Sequence, residues 1–255
     1  MLRSLFKMLY RFMNNTMNNT HQTFLVYGVS QGLGEAIIQT IPKTTDKIYG
    51  ISRTEPQKMA NLNWICADLT RPSKAVKKVK NIIKNQKIDV FIYNVGVWES
   101  QAFTDAYNFE SISSTEIEKI ININMRSCIQ SIQSLLDNLK QSNNAKIILI
   151  GSTWGVDHHN GKELIFSATK FALRGIVESL RALLREHLIG VSLLNLGYLA
   201  TEYKMDIPTE QVLQQSDCGL IPLSDVIAAI QFIVSTSKAS CVKEILMPAM
   251  KDENI

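Results

Sequence analysis

The stretch Thr23-Phe-Leu-Val-Tyr-Gly-Val-Ser-Gln-Gly-Leu-Gly34 limits what this chain can fold into more than any other. Its first five residues, Thr23 to Tyr27, are mostly apolar and predict a buried strand. Glycines at 28, 32 and 34 predict a turn, and Glu35-Ala-Ile-Ile-Gln-Thr-Ile41 then carries helical spacing. Strand, glycine turn and helix together aim free backbone N–H groups and the positive end of a helix dipole at a phosphate. The same pattern without a ligand is an ordinary left-handed turn into a helix, so the rest of the chain has to decide.

A chain of 255 residues, 45% hydrophobic and 20% charged, is long enough for one large core and predicts a single α/β domain over residues 23–255. No run approaches the roughly 20 apolar residues of a membrane span. Cys66, Cys128, Cys218 and Cys241 are scattered, with neither CxxC pairing nor a histidine at metal-ligand spacing. They predict reduced, mostly buried thiols, no metal site and a cytoplasmic location. Of the net charge of +4, Arg3, Lys7 and Arg11 precede the first acidic residue, Glu35, which leaves the body at about +1. That argues against a nucleic-acid surface.

Residues 1–22 form a basic and polar extension with several readings. Arg3, Lys7 and Arg11 recur every fourth residue, and Leu2, Leu5, Phe6, Leu9 and Met13 would line another helical face. Such a helix over residues 1–13 could lie on an anionic membrane or serve as an organellar presequence. A disordered extension, or a true start at Met17, is the plainer reading and the one preferred.

From Thr23 onward, short β-branched runs alternate with helical patterns, which predicts a parallel sheet of about seven strands covered by helices on both faces. Strands are predicted at 23–27, 47–52, 62–66, 88–93, 146–151, 191–195 and 243–247. Helices are predicted at 33–41, 73–85, 114–140, 163–187 and 224–236, with 202–222 the most irregular segment.

Several strand ends carry motifs. The second strand ends in Ser52-Arg53, the third in Asp68-Leu69-Thr70, and the fourth in Asn94-Val95-Gly96. Ser152 follows the fifth strand, and Asn195-Leu-Gly-Tyr-Leu199-Ala-Thr201 follows the sixth. Asn124 lies in the long helix, and Phe166-Ser-Ala-Thr-Lys170 places two side chains on one helical face at i, i+4. A cation at position 53 suits the 2′-phosphate of NADP, where a carboxylate would suit the ribose of NAD; a solvated surface arginine is the alternative.

In order and spacing, these stations resemble the short-chain dehydrogenase/reductase family over about residues 23–248. The resemblance implies a Rossmann-type doubly wound sheet that binds NADP(H), with NAD(H) possible. It implies that Gly28, Ser30, Gly32, Leu33 and Gly34 meet the pyrophosphate, and Ser52 and Arg53 the 2′ substituent. Asp68 and Leu69 would border the adenine, Asn94 and Gly96 pass near the cofactor, and Leu199 and Thr201 meet the nicotinamide carboxamide.

The resemblance also assigns the chemistry to Asn124, Ser152, position 166 and Lys170. In the family a tyrosine at that third station exchanges the proton with a carbonyl or alcohol substrate, and lysine lowers its pKa and grips the nicotinamide ribose. Here that tyrosine is Phe166, so turnover is expected to be impaired, with His158, His159 and Tyr198 as candidate substitutes. The implied partners are a small carbonyl or alcohol substrate, a lid over 202–222, and a second or fourth copy of the chain packed through helices 114–140 and 163–187. The rival expectation is a non-catalytic NADP(H)-binding sensor or scaffold.

Overall fold

The computed structural model describes residues 21–252, so the expectations for an N-terminal helix and its membrane contact fall outside the described residues. Seven parallel strands form one sheet: β1 (Thr23–Tyr27), β2 (Lys47–Ser52), β3 (Leu62–Cys66), β4 (Val90–Tyr93), β5 (Lys146–Ile150), β6 (Gly190–Leu196) and β7 (Glu244–Met247). Their order is β3-β2-β1-β4-β5-β6-β7.

Period-two alternation divides each central strand between two cores. Leu25 and Tyr27 of β1, Phe91 and Tyr93 of β4, and Ile147 and Leu149 of β5 enter one. Phe24, Val26, Val90, Ile92, Ile148 and Ile150 enter the other. The first core is closed by α2 (Pro72–Ile83), α4 (Ser127–Lys140) and α5 (Leu164–Leu184), and the second by α1 (Gly32–Thr40) and α7 (Leu223–Ser235). Because both faces are covered, the strands read as continuous apolar runs. The chain leaves β1 toward β2 and β3, then returns to build β4 on its other side. That reversal opens a crevice at the carboxyl ends of β1 and β4.

Two elements differ from the sequence expectation. The segment 202–222 contains a helix, α6 (Thr209–Ser216), in which only Val212 is buried; so little apolar periodicity leaves no pattern to read. The helix predicted over 114–140 is not continuous. α3 (Ser114–Ile121) and α4 are joined by a π segment, Asn122–Arg126, where the Ser127 amide bonds the Asn122 carbonyl five residues back. The Tyr93 hydroxyl donates to the Ile123 carbonyl at 2.7 Å within this segment, an inserted polar group of the kind that accompanies helix distortion. The cysteine expectation is also corrected: all four thiols are free, but only Cys128 is buried, because the other three lie on the surface of strands and loops. Among the described residues no helix is long and apolar enough to cross a membrane.

Gly34 and Gly175 make opposite predictions. A Cβ at Gly34 would overlap the Gly28 carbonyl oxygen, which is backbone and cannot swing away. Gly34→Ala is therefore expected to cost about 2–4 kcal/mol in urea unfolding. A Cβ at Gly175, inside α5, meets nothing within 4 Å. Gly175→Ala is expected to stabilise by about 0.5–1 kcal/mol, since it restricts the unfolded chain and suits a helix.

Candidate functional site

A crevice of about 790 Å³ runs along the carboxyl edge of the sheet, from the glycine turn to the start of α5. At its first end, Gly28 (φ +82°) and Gly32 (φ +57°) adopt left-handed conformations that other residues rarely hold. They line the crevice with Ser30 and Leu33, while Gly34 lies beneath, against Gly28. No side chain caps the start of α1, so its first amides face the crevice unsatisfied by a cap.

Ser52, Arg53, Asp68 and Leu69 form the neighbouring wall. The Ser52 hydroxyl donates to the Thr54 carbonyl at 2.6 Å and accepts from Trp64 Nε1 at 3.1 Å, so its own donor is engaged locally. Arg53 is exposed. Partial burial of Asp68 works against its charge, but bonds from the Thr70 amide and hydroxyl, with Arg53 and Arg71 nearby, hold the carboxyl below its ordinary pKa. The Asn94 side chain donates to the Gly28 carbonyl at 3.3 Å and ties β4 to the turn. Gly96 lines the crevice beside Lys170, where an added Cβ would sit 3.1 Å from Nζ.

At the second end, Lys170 is 5% exposed and its ammonium donates to the carbonyls of Ile150 (3.1 Å) and Gly151 (3.4 Å). Burial lowers its pKa to about 8. Nζ stands 5.3 Å from the ring centroid of Phe166, and both residues line the crevice. The Ser152 hydroxyl, also in the wall, accepts from the Trp154 amide at 3.2 Å and keeps its own hydrogen for another acceptor.

Asn124 is placed differently. Its Oδ1 accepts from the Val97 amide (2.8 Å), and Nδ2 donates to the Val97 carbonyl (2.7 Å) and Thr169 Oγ1 (3.0 Å). It is a clamp behind the wall. Leu199 and Thr201 line the crevice opposite the glycine turn, with Thr201 Cγ2 3.3 Å from where a Gly32 Cβ would be.

Of the three candidate substitute donors, only Tyr198 reaches the crevice. His158 is exposed on a loop, and the His159 ring is engaged with the Gly161 amide (3.1 Å) and Ser167 Oγ (3.0 Å).

Residues 22–212 match the family model for short chain dehydrogenase. The chain belongs to that family. A 3-oxoacyl-[acyl-carrier-protein] reductase of Buchnera aphidicola subsp. Schizaphis graminum is 26% identical over 231 residues, covering 86% of this chain and 91% of the relative. Two solved structures share the fold of this chain. The 3-ketoacyl-(acyl-carrier-protein) reductase from Brucella melitensis, complexed with NADH, superposes with TM-score 0.72 at 18% identity, covering 89% of this chain and 96% of that one. ElxO with NADP bound gives TM-score 0.70 at 17% identity, covering 90% and 97%.

The crevice also has wall residues that sequence reading missed. Trp98, Phe103 and Trp154 line the crevice around Phe166 and Tyr198. They are distant in sequence and read as ordinary core aromatics. Two carboxylates behind them are buried: Glu99 Oε1 accepts from the Ile165 (2.9 Å) and Phe166 (3.4 Å) amides, so it caps α5, and Glu163 holds Phe103 and Trp154. No spacing in the sequence marks either acid as buried, so both emerge only once their partners are placed.

Proposed function

We propose that this chain is an NADP(H)-dependent oxidoreductase that moves a hydride between nicotinamide and a carbonyl or alcohol substrate. The observation that carries the reading is Lys170. A buried ammonium bonded only to main-chain carbonyls, next to a serine hydroxyl with a free hydrogen, suits a ribose and a substrate oxygen. The uncapped start of α1 and the left-handed glycines fit a pyrophosphate at the other end of the same crevice.

Neighbours that hold NADP and NADH support a nicotinamide coenzyme, and Arg53 favours NADP. When bound, the coenzyme supplies the hydride. Gly28, Ser30, Gly32, Leu33 and Gly34 cradle its pyrophosphate, and Arg53 pairs with its 2′-phosphate beside Ser52. Asp68 and Leu69 border the adenine, Asn94 and Gly96 back the ribose, and Leu199 and Thr201 meet the carboxamide. Ser152 donates to the substrate oxygen. Asn124 fixes Val97 against α5, which holds the Lys170 face in place. Residues 202–222 act as the substrate lid, and α4 and α5, which expose Ile129 and Leu183, join copies into a homodimer or homotetramer in the cytoplasm.

A second reading has its own observation. Phe166 stands where family members carry the proton-exchanging tyrosine, and it has no proton to give. Tyr198 is the one candidate substitute in the crevice; burial, then Glu163 and Asp252, push its hydroxyl above the ordinary value and make it a weaker acid. A non-catalytic NADP(H) sensor or scaffold is consistent with that.

Calorimetry with NADPH and NADH tests the shared part. Arg53→Asp is expected to weaken NADPH by roughly 10- to 100-fold, the worth of a charge-assisted contact, and to leave NADH affinity equal or higher. Turnover separates the two readings. Oxidation of NADPH with any member of a carbonyl panel, abolished by Ser152→Ala, removes the sensor reading, whereas silence across the panel with intact binding removes the enzyme.

A further inference from the structure

The second end of the crevice is a slot of aromatic rings, and we infer that it selects a planar, ring-bearing carbonyl, an aryl ketone or quinone, over an open-chain 3-oxoacyl compound. This deepens the oxidoreductase reading and rests on it. Phe103 is the hub. Its ring lies 5.5 Å from Trp98, 5.2 Å from Trp154, 5.7 Å from Phe166 and 5.9 Å from Tyr198, at interplanar angles of 64°, 84°, 88° and 84°. Trp98 also meets Phe166 at 6.0 Å, and Trp154 meets Tyr198 at 5.5 Å. All five rings line the crevice.

Near-perpendicular rings offer both faces and edges, the arrangement in which a further aromatic ring gains contact energy beyond the area it buries. A rigid ring also loses little conformational freedom on entering, unlike an acyl chain.

The polar groups at this end are few. Besides the indole N–H of Trp98 and that of Trp154, which is bonded to Glu163, the described wall residues around the rings with hydrogen-bonding side chains are Ser152, Lys170 and Tyr198, which suits one or two carbonyl oxygens. The charged pair Arg53 and Asp68 belongs to the β2 and β3 ends of the crevice. Trp98 is 53% exposed, so the slot opens to solvent.

Glu163 is the positioning residue of this slot. Phe103 sits at φ +63°, a conformation strained for a bulky side chain. Its amide donates to Glu163 Oε1 at 2.8 Å, and Trp154 Nε1 donates to Oε2 at 2.6 Å. One buried carboxylate therefore orients two rings and holds the strained backbone that puts the hub in place. Both oxygens are engaged behind the rings, so the carboxylate is turned away from the slot, whose one charged side chain is Lys170.

The test is calorimetry of the full chain with 2-acetylnaphthalene and ethyl 3-oxooctanoate, each with and without saturating NADPH, beside a separate NADPH titration. The ring ketone is expected to bind at least tenfold tighter than the ester. Trp98→Leu, at the exposed mouth where folding is not at risk, and Phe103→Leu are each expected to reduce that preference by roughly three- to tenfold, with NADPH affinity unchanged. Glu163→Gln keeps the shape but turns a donor toward one of its two N–H partners, and is expected to erode the preference likewise. Its near-ultraviolet circular dichroism should change while its NADPH affinity holds. Equal or tighter binding of the ester, or a preference untouched by both ring substitutions, overturns the inference. Absence of NADPH binding overturns the oxidoreductase reading instead, because the ring preference is also measured on the free protein.

Discussion

Lys170→Met is expected to make the ligand-free protein more stable at pH 7, by on the order of 2–3 kcal/mol, while weakening NADPH binding by tenfold or more. The reason is burial. The Lys170 pKa falls from 10.5 to about 8 in the folded chain because desolvation disfavours its charge. The two carbonyl bonds and the Phe166 ring do not fully offset that loss of water. The sign follows from proton counting. Between pH 8 and 10.5 the unfolded chain holds a proton on this residue that the folded chain has released, so wild-type stability rises as pH climbs through that window. Below about pH 8 the penalty is present in full; above about 10.5 it is gone. Methionine fills much of the same volume without a charge. Urea unfolding of both proteins at pH 7 and pH 10 measures the effect. A methionine variant that is less stable at pH 7, or that keeps the wild-type slope, would show that Nζ is better solvated than its 5% exposure indicates. The proposed ribose contact would relieve part of this cost, because a ligand oxygen that accepts from Nζ replaces lost water.

Phe166→Tyr is expected to raise hydride transfer by roughly 10²- to 10⁴-fold, the usual contribution of a positioned proton donor. The geometry is prepared for it. The ring lines the crevice, Lys170 Nζ lies 5.3 Å from its centroid, and Ser152 shares the wall. An ammonium at that range lowers a phenol's pKa toward neutrality, whereas the existing Tyr198 is pushed the other way. Single-turnover rates with NADPH and a ketone, followed from pH 6 to 10, are the measurement. The gain should appear with an ionisation absent from the wild type. A tyrosine variant no faster than wild type would mean that the substrate oxygen does not lie near this ring, and would favour the sensor reading.

The fold was legible because its signals are local. Thr23–Tyr27 and Lys146–Ile150 are fully buried, and Pro72 starts α2 as its missing N–H predicts. Along the crevice, the stations from Gly28 to Thr201 all reach or back its wall, since each lies at the carboxyl end of a strand or on the facing helix. Asn124 shows what spacing leaves out: its side chain holds Val97 and Thr169, bonds that no spacing encodes. The aromatic slot was invisible for the same reason. Phe103 meets its four neighbours only because Glu163, sixty residues later, holds its amide at a positive φ that nothing in the local sequence suggests.

The π segment Asn122–Arg126 carries one residue more than a regular turn needs. Deleting a single codon there would restore an unbroken α-helix and swing α3 by about 100° about the axis relative to α4. The loop bearing Trp98 and Phe103 feeds directly into that swung portion, whereas the glycine turn lies in a separate part of the chain. Inheritance thus has a one-step dial on the ring-bearing wall, acting also on Asn94, Gly96 and Asn124 but not on the glycine turn.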